Sequence, residues 1–494
     1  MPSLQTSEAQ AGIVPPARRL PPALPLAGVS RDARAALRQL LDDHARALAA
    51  AFRQGADAAE LARSRARVVE MVCGHVWSAC VGETAAAALF AVGGFGHGLL
   101  FPYSDVDLLV LRDSDTGAVP GHQLEAFFTC LWDVGLKPGQ AVRTLAQCRE
   151  IAAADVSVFT SLLDARRLAG AGRFADALRA LMGDPALWPA DAYLDAKLEE
   201  RAQRHARYDD TTHNLEPDLK DGPGGLRNLD LIRWLGKRLI GVDDLDGLVR
   251  ARLLEASERD ALREARTVLR RIRYGLHLEA GRAEERLLFD WQRALAVRLG
   301  YEDVNTVGND AVERFMQDYF RAAGVAERLL MQLLERLQEH LHPLPPPRDL
   351  DANLVLRGTR IALRDPDWLL HVPQGLVQLF ERRFDVADCT GITAATMRAV
   401  EHALVAHGTA LSRNPDVLAA FLALLRRGAD AVRVLEALNR HGVLVAILPP
   451  FARVVGRMQY DLFHVYTVDE HTLRVLRNVA RYALPETRAS LPLA

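Results

Sequence analysis

Between residues 31 and 54, Leu37, Leu40, Leu41 and His44 recur at helical spacing on one face, with charged residues opposite. The spacing predicts a helix there and another over 58–80. The texture then changes. Leu89-Phe90-Ala91-Val92 is a short apolar run that ends in Gly93-Gly94. Residues 105–111 alternate through Asp105, Val106 and Asp107 before running apolar, so the two segments read as neighbouring strands. A helix over 123–134, a third strand over 140–145, a helix over 148–163 and a short strand over 166–169 follow. From about 190 to 342 nearly everything is helical, in long Leu-rich, charged stretches over 191–208, 226–240, 257–281 and 310–342. Pro343, Pro345, Pro346 and Pro347 end that block as a stiff spacer. Residues 354–363 predict a small hairpin around Gly358, with short helices beyond. At the other end, the proline-rich residues 1–28 read as a flexible tail.

The fold class is therefore α+β and mostly helical. The divisions are a tail (1–28), N-terminal helices (29–80), a mixed unit (81–190), a helical block (191–342), a proline-rich linker (343–350) and a C-terminal unit (351–494). The length of 494 residues fits about three domains. Lys plus Arg number 61 and Asp plus Glu 63, which excludes a strongly basic chain built to coat nucleic acid. The five cysteines include no C-x-x-C pair, which argues against a disulfide framework or a thiolate zinc site and suits a reducing cytoplasm. There is no apolar run long enough to span a membrane and no apolar signal core, so neither a membrane nor secretion is expected.

The stretch from Gly93 to Asp107 carries the chemistry. Residues two apart on a strand point to the same side, so Asp105 and Asp107 present two carboxylates to one spot. Hard oxygen donors side by side suit Mg²⁺, with Mn²⁺ as a substitute, and Mg²⁺ takes substrate phosphates as further ligands. Gly93 and Gly94 let the backbone approach a triphosphate, and Ser104 adds a hydroxyl donor.

These residues resemble the nucleotidyltransferase signature, Gly-Gly or Gly-Ser followed by Asp-x-Asp. More of the chain resembles the N-terminal half of the bifunctional uridylyltransferase/uridylyl-removing enzymes that modify the PII nitrogen-regulatory protein. The resemblance rests on GGFGHGLLFPYSDVDLLVL (93–111), RHARYDDTTHNLEPDLKDGPGGLRNLD (204–230), MQYDLFHVYTVDEHTLRVL (458–476) and, more weakly, VRTLAQCREIAAADVSVFTSLLDARRLAG (142–170). It implies a polymerase-beta-like nucleotidyltransferase domain, a helical domain and the start of an HD-type phosphohydrolase domain. It also implies UTP as donor, PII protein as acceptor, and glutamine as effector of the full-length enzyme.

Two positions depart from the family pattern GGxGRxEL: His97 stands where it has Arg, and Leu99 where it has Glu. At neutral pH a histidine replaces an arginine's charge only in part. A third carboxylate is usual in the superfamily; the third strand has none, which leaves Asp155 as nearest candidate. In the polar loop 214–227 the resemblance places Lys220 and Arg227 on the nucleotide phosphates and Glu216 or Asp218 near the metal. His471 best matches the first ligand of an HD metal site, with His464 two turns earlier. The chain has no His-Asp dipeptide and stops 23 residues later at Ala494, so the resemblance predicts a truncated hydrolase lacking the glutamine-sensing ACT domains. Two other functions compete: an RNA nucleotidyltransferase of the tRNA-end-adding type, which would want a basic face, and a decayed regulatory or binding protein marked by His97 and Leu99.

Overall fold

The computed structural model describes residues 29–82, 86–113, 119–208, 211–303, 309–459 and 466–482. The 1–28 tail and His464 lie outside them. The first two helices form as the spacing predicts, at Arg31–Arg53 and Ala58–Cys80; Ser30 and Asp57 cap them by accepting the N–H groups of Ala33 and Glu60.

Four strands make the first sheet: β1 (Ala87–Ala91), β2 (Val106–Arg112), β3 (Pro138–Thr144) and β4 (Arg166–Gly170), in the order β3-β2-β1-β4. β1 is antiparallel to β2 and β4, while β2 and β3 run parallel, joined by a crossover that contains helix Gly121–Asp133. Alternation sorts the side chains to two faces. Leu89, Leu108 and Val110 pack toward the N-terminal helices, and Phe90, Leu109 and Leu111 toward the helical block. Asp107 follows the parity of Leu109 onto the face that meets the helical block; Asp105, expected on the strand, lies one residue before it and reaches the same cavity from the strand's open end. The helix expected over 148–163 is two helices, Leu145–Ala154 and Val156–Leu163. Asp155 breaks it by taking extended dihedrals and accepting the N–H groups of Ser157 and Val158.

The helical block contains Ala190–His205, Leu226–Leu235, Ala256–Ala280 and Asp310–Leu341. Beyond Leu235 the predicted helix widens into a π-type turn, Gly236–Ile240, and closes at Gly241 in the left-handed region. A third unit carries the expected hairpin, Leu354–Arg357 with Arg360–Leu363. Arg348 and Asp349, inside the stretch read as linker, extend that sheet by pairing with Leu356 and Val355. Among the described residues, no helix is long and apolar enough to cross a membrane.

Candidate active site

The Asp105–Asp107 pair opens into a cavity of about 430 Å³ between the β1–β4 sheet and the helical block. Gly93, Gly94, His97 and Ser104 line it from the sheet side, Lys220 and Arg227 from the helical side. All the residues that sequence reasoning assigned to nucleotide binding are thus in one place. Neighbouring protein pushes the Asp107 carboxyl above the ordinary carboxylate range, first by desolvation and then by the charge of Asp105, with Lys220 opposing. A cation between the two carboxylates would relieve that repulsion.

Asp107 is held in a slot that only small neighbours permit. A Cβ at Gly139, its partner on β3, would lie 2.6 Å from Asp107 Oδ1, and one at Gly93 3.4 Å from Oδ2. Sequence reasoning missed Gly139, because nothing in one chain shows which residue pairs with Asp107. Gly139→Ala should move the carboxylate, and a displacement of about 1 Å costs a catalytic group about a hundredfold in rate. The melting temperature should stay close to wild type; a rate within twofold of wild type would show that the slot is not needed.

The polar loop does only part of what the resemblance implied. Lys220 and Arg227 reach the cavity, but Glu216 and Asp218 do not line it. Glu216 Oε1 accepts the N–H of Phe289 at 3.0 Å, and Asp218 Oδ1 accepts those of Lys220 and Asp221 at 2.9 and 2.7 Å. A turn-rich loop uses nearby carboxylates to satisfy its own backbone. The loop docks on helix Asp310–Leu341 through Gly224, at φ +73° and with no room for a Cβ against the Ala323 carbonyl. Glu327 of that helix accepts the N–H of Gly224 at 3.1 Å.

The helices add charged groups that sequence reasoning did not find. Arg233 makes a two-pronged contact with buried Asp164 at 2.5 and 2.6 Å, and Trp234 Nε1 donates to the same carboxylate at 2.9 Å. Burial pushes the Asp164 carboxyl up, but these donors outweigh it and hold it below the ordinary range. His97 is pushed down from the ordinary imidazole value by desolvation and then by Arg233, which leaves it neutral at pH 7. It therefore brings no permanent charge to the cavity.

Helix Ala256–Ala280 also braces the turn that precedes the carboxylate pair. His277 Nδ1 donates to the Pro102 carbonyl at 2.5 Å. The Arg273 guanidinium lies 4.5 Å from the centre of the Phe101 ring, and its Nε donates to Glu285 at 2.7 Å. Burial raises the Glu285 carboxyl, but hydrogen bonds from Arg273, with His277 Nε2 3.6 Å away, win and hold it at about 2. A carboxyl with a depressed folded value stabilises the fold fully above its unfolded value and loses that effect as pH falls toward the folded one. Glu285→Gln should therefore cost about 3 kcal/mol near neutral pH, with the two proteins converging between about pH 5 and 2. Denaturant midpoints across that range would check it; a gap that does not narrow in acid would show that Glu285 is not held by charge.

One sequence assignment is corrected: Asp155 is not brought to the cavity, because its carboxylate caps helix Val156–Leu163. His471, matched to a separate HD-type site, lies exposed on helix Val468–Tyr482, away from this cavity. Its neighbour Asp469 turns inward and accepts the N–H of Gly456 at 3.1 Å. Among the described residues, no three His, Cys, Asp or Glu side chains form a metal-binding group.

A four-stranded mixed sheet with a carboxylate pair at the start of β2, faced by helices across a cavity rich in cations, has the architecture of a nucleotidyltransferase. Residues 192–334 match the family described as GlnD PII-uridylyltransferase, and 354–447 the uridylyltransferase GlnD third domain. Three similar curated proteins are each named bifunctional uridylyltransferase/uridylyl-removing enzyme. That of Methylococcus capsulatus is 39% identical over 90% of this chain and 51% of its own length. That of Xanthomonas campestris pv. campestris is 43% identical over 87% and 49%, and that of Azotobacter vinelandii 38% over 90% and 50%. The chain belongs to this PII-uridylyltransferase family, and it spans about half the length of the curated relatives it matches.

Proposed function

We propose that the chain transfers UMP from UTP to a tyrosine hydroxyl of the PII signal protein in a metal-dependent reaction, releasing pyrophosphate. The observation that carries this reading is the meeting, in one cavity, of Asp105 and Asp107 with Lys220 and Arg227 from the family-matched helical block. Uracil and the PII acceptor come from the family. The mixed charge of the cavity suits a protein acceptor better than RNA. The inward placement of every assigned phosphate-binding residue favours a working site over a decayed one.

The residues present fit Mg²⁺: two hard oxygen donors at the start of one strand, Asp107 raised first by burial and then by Asp105, with no third protein carboxylate grouped with them among the described residues. When bound, the ion would neutralise phosphate charge and favour the ionised acceptor hydroxyl. The remaining work falls to the chain. Lys220 and Arg227 bind phosphate oxygens, Arg227 steadied by Asp221 at 3.2 Å and by the Trp234 ring. The glycine turn and Ser104 orient the triphosphate for in-line attack.

The test is incubation with labelled UTP, Mg²⁺ and purified PII protein, followed by intact mass. One uridylyl group per modified subunit is expected. Unmodified PII, with the chain folded and UTP intact, would overturn the reading.

A further inference from the structure

Arg266 and Arg270 stand four residues apart on helix Ala256–Ala280, so they share a face, and both line the cavity. The other arginines of this wall are neutralised: Arg227 on Asp221, Arg233 on Asp164, Arg273 on Glu285. Among the described residues, the Arg266 and Arg270 guanidinium groups make no hydrogen bond and no ion pair. The one carboxylate that acts on both, Asp230, lines the same cavity but lies beyond ion-pair distance of either. Like charges at this spacing cost a helix stability, and Arg63 from helix Ala58–Cys80 adds to the repulsion. Arg270 is pushed down to about 10, first by burial and then by Arg266, and remains charged at neutral pH.

Two half-buried, uncompensated guanidinium groups aimed into a cavity do nothing for the fold and call for an anion with more than one charge. Their position in the cavity indicates which part of a nucleotide that anion is. Lys220 is the cation that acts on Asp107. Arg270 acts instead on His97, together with Arg233. The cavity thus has a carboxylate pole and an arginine pole.

We propose that Arg266 and Arg270 form the subsite for the terminal diphosphate of the nucleoside triphosphate and hold it as pyrophosphate when it leaves. This rests on the nucleotidyl-transfer reading. In the step, the phenolic oxygen bonds to the α-phosphorus and the α–β bridging P–O bond breaks. Its electron pair stays with pyrophosphate, and the phenolic proton passes to solvent. Negative charge grows on the departing diphosphate, where fixed guanidinium donors stabilise it most. The helical block then supplies the leaving-group half of the site and the sheet the metal half.

The experiment titrates inorganic pyrophosphate and, separately, UMP into the full chain and into Arg266→Gln/Arg270→Gln. Pyrophosphate affinity should fall by roughly tenfold or more per arginine, while UMP affinity stays within about twofold. Arg266→Lys/Arg270→Lys keeps the charge and should recover part of the loss, which separates the subsite from a folding defect. Pyrophosphate binding unchanged in the Gln variant, or UMP and pyrophosphate weakened alike in a folded variant, would overturn the subsite. A wild-type chain that binds pyrophosphate through these arginines yet never uridylylates PII would leave the subsite standing and remove the transfer reading.

Discussion

Asp105→Asn combined with Asp107→Asn should lower uridylyl transfer by at least about a thousandfold while leaving circular dichroism and the melting temperature unchanged. Asparagine keeps the size of each side chain and removes the charge that would hold a cation. The fold does not depend on either carboxylate: both residues are exposed at the open end of β2, and neither side chain has a hydrogen bond or ion pair to another described residue. Their ionised state carries a cost, since burial first and Asp105 second raise the Asp107 carboxyl. Neutralising the pair should therefore leave stability equal or slightly higher, the expected sign for a site where function opposes stability. A double variant that transfers at the wild-type rate with normal circular dichroism would remove the catalytic assignment.

The parts of this site that were legible in the sequence are those set by local geometry. Period-two alternation turns Asp105 and Asp107 to one side whatever surrounds the strand, and two glycines before it mark a turn. Lys220 and Arg227 stand out because a long polar loop between helices is unusual. Arg233, Arg266 and Arg270 were not legible for the opposite reason. They sit on helices with many charges, and only tertiary packing decides which charged face turns inward. Asp155, Glu216 and Asp218 mislead in a third way: a carboxylate near a glycine turn or a helix start serves the backbone as readily as a ligand, and one sequence does not separate the two uses. The break at Asp155 and the π-type turn after Leu235 were missed because both follow from local hydrogen bonding that leaves the apolar pattern intact.

The strongest effect on stability is expected at the Arg336–Glu258 pair, which ties helix Asp310–Leu341 to helix Ala256–Ala280. Arg336 donates to Glu258 at 2.6 and 2.7 Å and to the Leu253 carbonyl at 2.9 Å, with only 5% and 6% of the two charged side chains exposed. Burial raises the Glu258 carboxyl, and the Arg336 contacts bring it below the ordinary range. Glu258 also accepts the N–H of Glu255 at 2.7 Å and so caps its own helix. Arg336→Met leaves that carboxylate buried without its cation and should cost about 3–5 kcal/mol. Removing both charges in Arg336→Met/Glu258→Leu should recover much of this, because the desolvation cost goes with the ions, although the lost cap keeps recovery incomplete. Denaturant midpoints of the single and double variants decide the matter: a single variant within about 1 kcal/mol of wild type would show that the pair is not buried in solution. The helix that Glu258 starts also carries Arg266, Arg270 and Arg273 to the cavity wall. Arg336→Met should therefore weaken UTP binding as it lowers the melting temperature, whereas the Asp105/Asp107 variant stops transfer with no change in melting.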